Sequence, residues 1–170
     1  MGHLSVQYTA MMNTLVYHCG LTEEEKKQLC SWKYPDKYSI YNLAPYEELT
    51  EKKSGFANPD NQQNFYSFYD NDVLVGYINL VERQNKFSLG IAVKPELCSM
   101  GYGQKIIAAA VQIAKNKNDK PIGLQVRSWN KRAINCYKKA GFEIDGDEYF
   151  LESPIGGGNF YRMTYKKDKD

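Results

Sequence analysis

The chain has 170 residues, with 22 Lys and Arg against 20 Asp and Glu, for a formal charge of +2. That length fits one domain, residues 1–170, burying roughly 70% of the surface its unfolded chain exposes and needing no disulfide or metal staple. Acidic and basic residues are mixed along the sequence, so the clustered basic stripe of a nucleic-acid binder is missing, and no run approaches the ~18 apolar residues of a membrane span.

Around LVYHCG no basic start precedes a long apolar core, so a soluble cytoplasmic protein without nucleic-acid or membrane partners is expected, as monomer or homodimer. Cys19, Cys30, Cys98 and Cys136 form no CxxC pair and no ligand-like spacing with His3 or His18. Free thiols and no metal are the expectation.

The first ten residues, MGHLSVQYTA, have no clear period and are expected to form a loose arm or an upstream extension. A strand follows near Thr14 to His18, then Thr22 caps a helix whose first turn carries Glu23, Glu24 and Glu25, where carboxylates suit the helix dipole. The aromatic segment WKYPDKYSIYNL is broken by Pro35, and a second helix is predicted over Tyr46–Lys53. NFYSFY and VLVGYINLV, joined through Asp70, Asn71 and Asp72, read as an antiparallel hairpin, and a turn near Gln84 and Asn85 leads into a third strand, KFSLGIAV.

Ile106, Ile107, Ala110, Val111, Ile113 and Ala114 then recur at helical spacing before the strand PIGLQVR. A strand, loop, helix and strand in this order predict a right-handed crossover, with ligands beyond the C-terminal ends of the two strands. Asn130 caps a further helix that stops at Gly141, with Phe142 as the hydrophobic contact beyond. Strands near Phe142–Leu151 and Asn159–Lys166 flank SPIGGGN. The fold class is therefore mixed α/β.

The loop at the predicted ligand end is CSMGYG, Cys98 to Gly103. Backbone N–H groups at a helix start attract anions, and glycine lets a ligand approach the backbone. Yet no Lys-Ser/Thr follows Gly103, and position 106 is Ile where a dinucleotide fingerprint has its third glycine. Taken alone, the stretch is equally a plain turn or a phosphate cradle.

Two motifs together resemble the GCN5-related N-acetyltransferase (GNAT) superfamily. One is Gln/Arg-x-x-Gly-x-Gly/Ala, met by Cys98, Ser99, Met100, Gly101, Tyr102 and Gly103, with Cys98 departing from the usual first residue. The other is Asn-x-x-Ala-x-x-x-Tyr-x-x-x-Gly-Phe, met without gaps by Asn130, Ala133, Tyr137, Gly141 and Phe142. The resemblance spans about Phe65 to Tyr165 by order of elements. It implies a mixed, mostly antiparallel sheet of six to seven strands with about four helices, and parallel strands that splay at the CoA site.

It also implies an N-acetyltransferase that moves an acetyl group from acetyl-CoA to a primary amine of a small molecule or peptide by direct attack. In the family pattern Ile91, Ala92 and Val93 would hold the pantetheine arm, a bulge near Gly90 and Ile91 would supply an oxyanion donor, and Cys98 to Gly103 with Gln104 would bind the pyrophosphate. Asn130 and Ala133 would complete the cofactor contacts, and Tyr137 would protonate the leaving thiolate.

The family's frequent base positions hold Ser88 and Gln125, which leaves Glu82 or a chain of waters held by carbonyls and tyrosines. The resemblance places the acceptor against the first two helices and the last hairpin, where Trp32, Tyr34, Tyr38 and Tyr41 would meet a cationic amine or else pack. Gly156–Gly158 read as a hairpin tip, with a substrate lid and a phosphate nest as alternatives. Cys98 and Cys136 are expected to be structural. The empty base positions also admit an inactive acyl-CoA-binding sensor.

Overall fold

The computed structural model describes residues 15–154 and 156–166. Thr14 and the expected arm over residues 1–10 lie outside the described residues. Two compact units are distinguished, one running up to Asn79 and again over Ile91–Ile106, the other over Leu80–Gly90 and from Ile107 onward. The hydrogen-bonded strand order is β1-β2-β3-β4-β5-β8-β6, with β7 also on β8.

In the first unit β1 (Val16–Cys19) pairs antiparallel with β2 (Phe65–Asp70), which pairs antiparallel with β3 (Val73–Glu82). Asn71 takes φ 53° in the turn between β2 and β3, a left-handed conformation that Asn tolerates. Helix α1 (Glu23–Ser31) starts with a full capping box: Thr22 Oγ1 accepts from the Glu25 N–H, and the Glu25 carboxylate accepts from the Thr22 N–H. The segment after Pro35 winds as a 3₁₀ turn over Asp36–Tyr41, and α2 (Tyr46–Lys52) ends at Lys53 in a left-handed cap. Leu21, Leu29, Cys30, Trp32, Phe56, Phe65 and Leu74 form the core of this unit.

Strand β4 (Phe87–Val93) passes from the second unit into the first, and after it a short 3₁₀ turn, Pro95–Leu97, leads to α3 (Tyr102–Lys117). Ile106, Ile107, Ala110 and Ala114 are fully buried along one face of α3, as their spacing predicts. In the second unit β5 (Ile122–Arg127) runs parallel to the start of β4 and antiparallel to β8 (Gly158–Tyr165). Helix α4 (Lys131–Lys139) lies between β5 and β6 in the chain, with Asn130 Oδ1 accepting from the Ala133 N–H and Gly141 at φ 104° beyond its end.

The strand expected over Phe142–Leu151 is in fact two, β6 (Phe142–Ile144) and β7 (Tyr149–Leu151), both antiparallel to β8. Asp145–Glu148 loop out between them because Gly146 adopts φ 86°, while the Asp145 N–H still reaches the Arg162 carbonyl. Among the described residues the sheet therefore has eight strands instead of six to seven. No helix among the described residues is long and apolar enough to cross a membrane.

Candidate active site

Strand β4 is the centre of the candidate site because its pairing is incomplete. Its parallel register with β5 comprises Phe87↔Ile122 and Ser88↔Gly123. The Phe87 N–H donates to the Pro121 carbonyl, on the β5 side, whereas the Lys94 N–H donates to Val75 O on β3. Backbone groups alternate along a strand, so the amides of Ile91 and Val93 share the direction of Phe87 and face away from β3. Gly90 is exposed and Ile91, Ala92 and Val93 are only half-buried, unusual for apolar residues in an interior strand. Past the Ser88↔Gly123 pair no further register with β5 is seen among the described residues, so the Ile91 and Val93 amides lie on an edge that can take an extended ligand, although Val93 O already accepts from the Tyr34 hydroxyl.

One 3₁₀ turn, Pro95–Leu97, separates that edge from the glycine loop. Ser99 at φ 65° and Gly101 at φ 90° flank Met100, so the backbone reverses twice before α3 begins. Gly101 needs its missing side chain for this conformation, not for space, since an added Cβ would meet nothing within 4 Å. The first N–H groups of α3, from Tyr102, Gly103 and Gln104, have no acceptor in the helix itself and carry the positive end of its dipole. Cys98 turns its thiol to the Val93 and Lys94 carbonyls, 3.8 and 3.6 Å away. A side chain bonded inward explains how a small residue can stand where the family pattern has Gln or Arg.

Two contacts, one of this loop and one of the strand before it, were not foreseen. The Tyr102 hydroxyl donates to Asp70 Oδ2 at 2.6 Å, and this bond raises the Tyr102 pKa. An added Cβ at Gly76 would sit 2.6 Å from both Ala92 O and Ile106 Cδ1, so β3 must carry glycine where β4 and α3 press against it. Neither pairing has a short-range sequence signal.

On α4, Asn130 is 7% exposed and its side-chain oxygen is engaged by the helix it caps. Tyr137 is half-buried, with its ring edge-on to Phe142 at 6.0 Å. Burial pushes the Cys136 thiol up, which disfavours the thiolate a nucleophile needs.

Glu82 ends β3. Its carboxylate accepts from Asn118 Nδ2 at 2.6 Å and from Lys120 Nζ at 2.9 Å. The Lys120 bond, with that of Asn118, holds its pKa below the usual range. Glu82 is therefore a strap between β3 and the loop before β5, and a weak base. Ser88 Oγ accepts from Arg83 Nε, and Gln125 is exposed on β5.

The four aromatics offered for the acceptor part company. Trp32 is a core residue, 6% exposed among Leu21, Leu29 and Phe65, because its segment packs under α1 instead of facing outward. Its indole N–H is buried without a hydrogen-bond partner. The Tyr34 hydroxyl donates to Val93 O at 2.7 Å, on the edge of β4 itself. Tyr38 and Tyr41 are half-buried on the 3₁₀ turn, with Lys37 Nζ 5.7 Å from the Tyr38 ring centre.

At the last hairpin the unforeseen residue is Arg127, the end of β5 and only 4% exposed. Its Nη2 donates to Ser153 Oγ at 3.2 Å and to Gly156 O at 2.9 Å, its guanidinium lies 4.8 Å from the Phe160 ring centre, and its Nε is buried without a partner. Any side chain at Gly158 would bring a Cβ within 2.5 Å of Nη1. Part of the glycine run therefore makes room for a buried cation.

A family model described as "Acetyltransferase (GNAT) family" matches residues 26–142. Thialysine N-epsilon-acetyltransferase of Bos taurus is 40% identical over 58 residues, which is 34% of this chain and 34% of that protein. The chain thus aligns with about a third of the length of that curated relative. Among solved structures, a GNAT-family acetyltransferase from Bacillus anthracis superposes with TM-score 0.72 at 14% identity, covering 92% of this chain and 97% of the other. Spermidine N-acetyltransferase from Vibrio cholerae, in complex with CoA and spermine, gives TM-score 0.67 at 20% identity over 89% of this chain and 94% of the other.

Proposed function

The chain belongs to the GNAT acetyltransferase family, and from that premise we propose that it transfers an acetyl group from acetyl-CoA to an amine by direct attack in a ternary complex. One observation carries the reading: the unpaired Ile91 and Val93 amides of β4 are followed, after one 3₁₀ turn, by a loop with two left-handed residues at a helix start. An edge of amides takes a pantetheine arm as an added strand takes its neighbour. A helix start with glycine before it takes a pyrophosphate.

In this reading the Ile91 and Val93 amides hold pantetheine, and an N–H near Ile91 meets the thioester oxygen as negative charge develops on it. Ser99 to Gln104 hold the pyrophosphate. Asn130 supplies its side-chain amide, and Tyr137 donates to the departing thiolate. With reference pKa values near 10 for Tyr and 8.5 for a thiol, complete transfer is uphill by about 2 kcal/mol, so the bond strengthens as charge accumulates instead of transferring early.

The amine's own proton goes to water. An alkylammonium of pKa near 10.4 costs about 4.6 kcal/mol to deprotonate at pH 7, and Ser88, Gln125 and the strapped Glu82 offer no free carboxylate. Log(kcat/KM) for the amine is then expected to climb with a slope near one up to the amine's own pKa. A plateau below pH 7 would instead reveal an enzyme base.

The relatives named for thialysine and for spermidine suggest a small polyamine-like or lysine-like acceptor. Release of free CoA, followed over a panel of such amines and peptides, tests the proposal. Binding of CoA without turnover on any amine would favour the sensor reading that Ser88 and Gln125 raise. All four cysteines are free thiols, which suits a reducing compartment.

A further inference from the structure

Between β4 and α3 the loop is fastened at two points to one hairpin. At its start the Lys94 N–H bonds Val75 O on β3 at 2.8 Å. At its end the Tyr102 hydroxyl reaches Asp70 Oδ2, the last residue of β2, at 2.6 Å. Everything between, including Ser99, Met100 and Gly101, is suspended from these tethers.

The second tether joins a phenol to a carboxylate. A hydroxyl donating to a carboxylate at this length is charge-assisted, roughly twice as strong as a neutral pair. It acts on the first residue of α3, in the turn whose N–H groups have no acceptor within the helix itself. The Tyr102 ring is also approached by Lys105 Nζ, 5.6 Å from its centre, so the aromatic ring lies between a cation of its own helix and an anion of the hairpin. Asn71 at φ 53° fixes the tight turn that presents Asp70.

We propose that Asp70 is a positioning residue for the acyl donor: through the Tyr102 hydroxyl it holds the first turn of α3 with its amides aimed at the donor's pyrophosphate. The inference rests on the reading of this loop as the pyrophosphate site. Asp70 itself touches no substrate. Its effect must therefore depend on whether the donor carries a pyrophosphate at all.

Two donors separate this from a general weakening of the fold. With acetyl-CoA, Asp70→Ala is expected to raise the donor KM about tenfold, the equivalent of about 1.4 kcal/mol, with kcat within about twofold of wild type. Tyr102→Phe should raise KM by a similar factor, and the double variant should be no worse than either single one, because both remove the same bond. Asp70→Asn keeps an acceptor oxygen and should restore most of the loss. With S-acetylpantetheine, which lacks the pyrophosphate, Asp70→Ala should match wild type.

Equal losses on both donors would make Asp70 a merely structural residue and overturn the proposal, as would an unchanged KM for acetyl-CoA. Calorimetric titration of the wild-type protein with CoA and with pantetheine guards the premise. If CoA binds no tighter than pantetheine, the pyrophosphate reading of the loop fails, whatever Asp70 does.

Discussion

The proposed donor side and the proposed acceptor side of this protein are built by different means. From Ile91 to Gln104 the site is backbone: strand amides, a loop in two left-handed conformations and the first turn of a helix. Around Tyr34 to Tyr41 and Ser153 to Gly158 it is side chain, a tyrosine on a carbonyl and an arginine threaded beside a glycine, with Trp32 withdrawn into the core. A backbone site tolerates substitution of its side chains, which is how Cys98 can stand at a position usually polar. A side-chain site does not, so its specificity follows individual residues.

Truncation of Trp32 should break that division hardest. If Trp32 belongs to the core, Trp32→Ala costs about 3–5 kcal/mol of stability, read from chemical denaturation. The conservative Trp32→Phe should leave the amine KM within about twofold. A large rise in amine KM in a stably folded Trp32→Phe would return the indole to the acceptor wall.

Next in size is the chemical step. Removal of the Tyr137 hydroxyl in Tyr137→Phe is expected to lower kcat by about a hundredfold, at the low end for a general acid, while the KM for acetyl-CoA stays within about twofold. Unchanged turnover would take the acid role from Tyr137. An equal loss of CoA affinity would make it a packing residue beside Phe142.

Smaller again is Arg127, where the two sides are directly distinguished. Arg127→Met keeps the aliphatic stem but releases Ser153 Oγ and Gly156 O, and should raise the amine KM about tenfold, the scale of a lost hydrogen bond to a charged group. The acetyl-CoA KM should not move. If both constants rise together, the last hairpin serves the whole fold and not the acceptor.

The same division governs what was legible beforehand. Glycines, caps and turns are local and leave a mark in a few residues, so Thr22, Asn130, Gly141 and the loop at Gly101 could all be placed from spacing alone. The loop-out at Gly146 also had a local signal, Asp145-Gly146, but the apolar stretches on both sides suggested one continuous strand. Asp70 with Tyr102, Arg127 with Gly156 and Gly76 with Ala92 join residues far apart in the chain. Each depends on a register that no local pattern fixes. Trp32 was legible as apolar but not as buried, because an aromatic segment packs or faces a ligand with the same composition.

The smallest effect concerns a network of the first unit that no expectation included. Glu25, 3% exposed, accepts from the Thr22 N–H at 2.8 Å and the Tyr69 hydroxyl at 2.6 Å, with His18 Nε2 at 3.0 Å, while Ser67 Oγ lies 2.8 Å from the same ring nitrogen. Two oxygens on one nitrogen, with Ser67 fully buried, make this a bracket between β1, α1 and β2, not a nucleophile and its base. Burial raises the Glu25 pKa, but the bonds from Tyr69, Thr22 and Ser67 and the charge of His18 outweigh it, and the carboxyl ends below its ordinary 4.5. A depressed folded pKa gives stability that is fully present above the unfolded value and is lost as pH falls through the folded one. Unfolding free energies of wild type and Glu25→Gln, measured by chemical denaturation, should therefore differ most above pH 5, by about 1 kcal/mol for the weakened hydrogen bonds, and converge as pH drops below 4.5. Curves that stay parallel down to pH 3 would mean that Glu25 holds its place by packing, and that even this polar bracket behaves like the apolar core beside it.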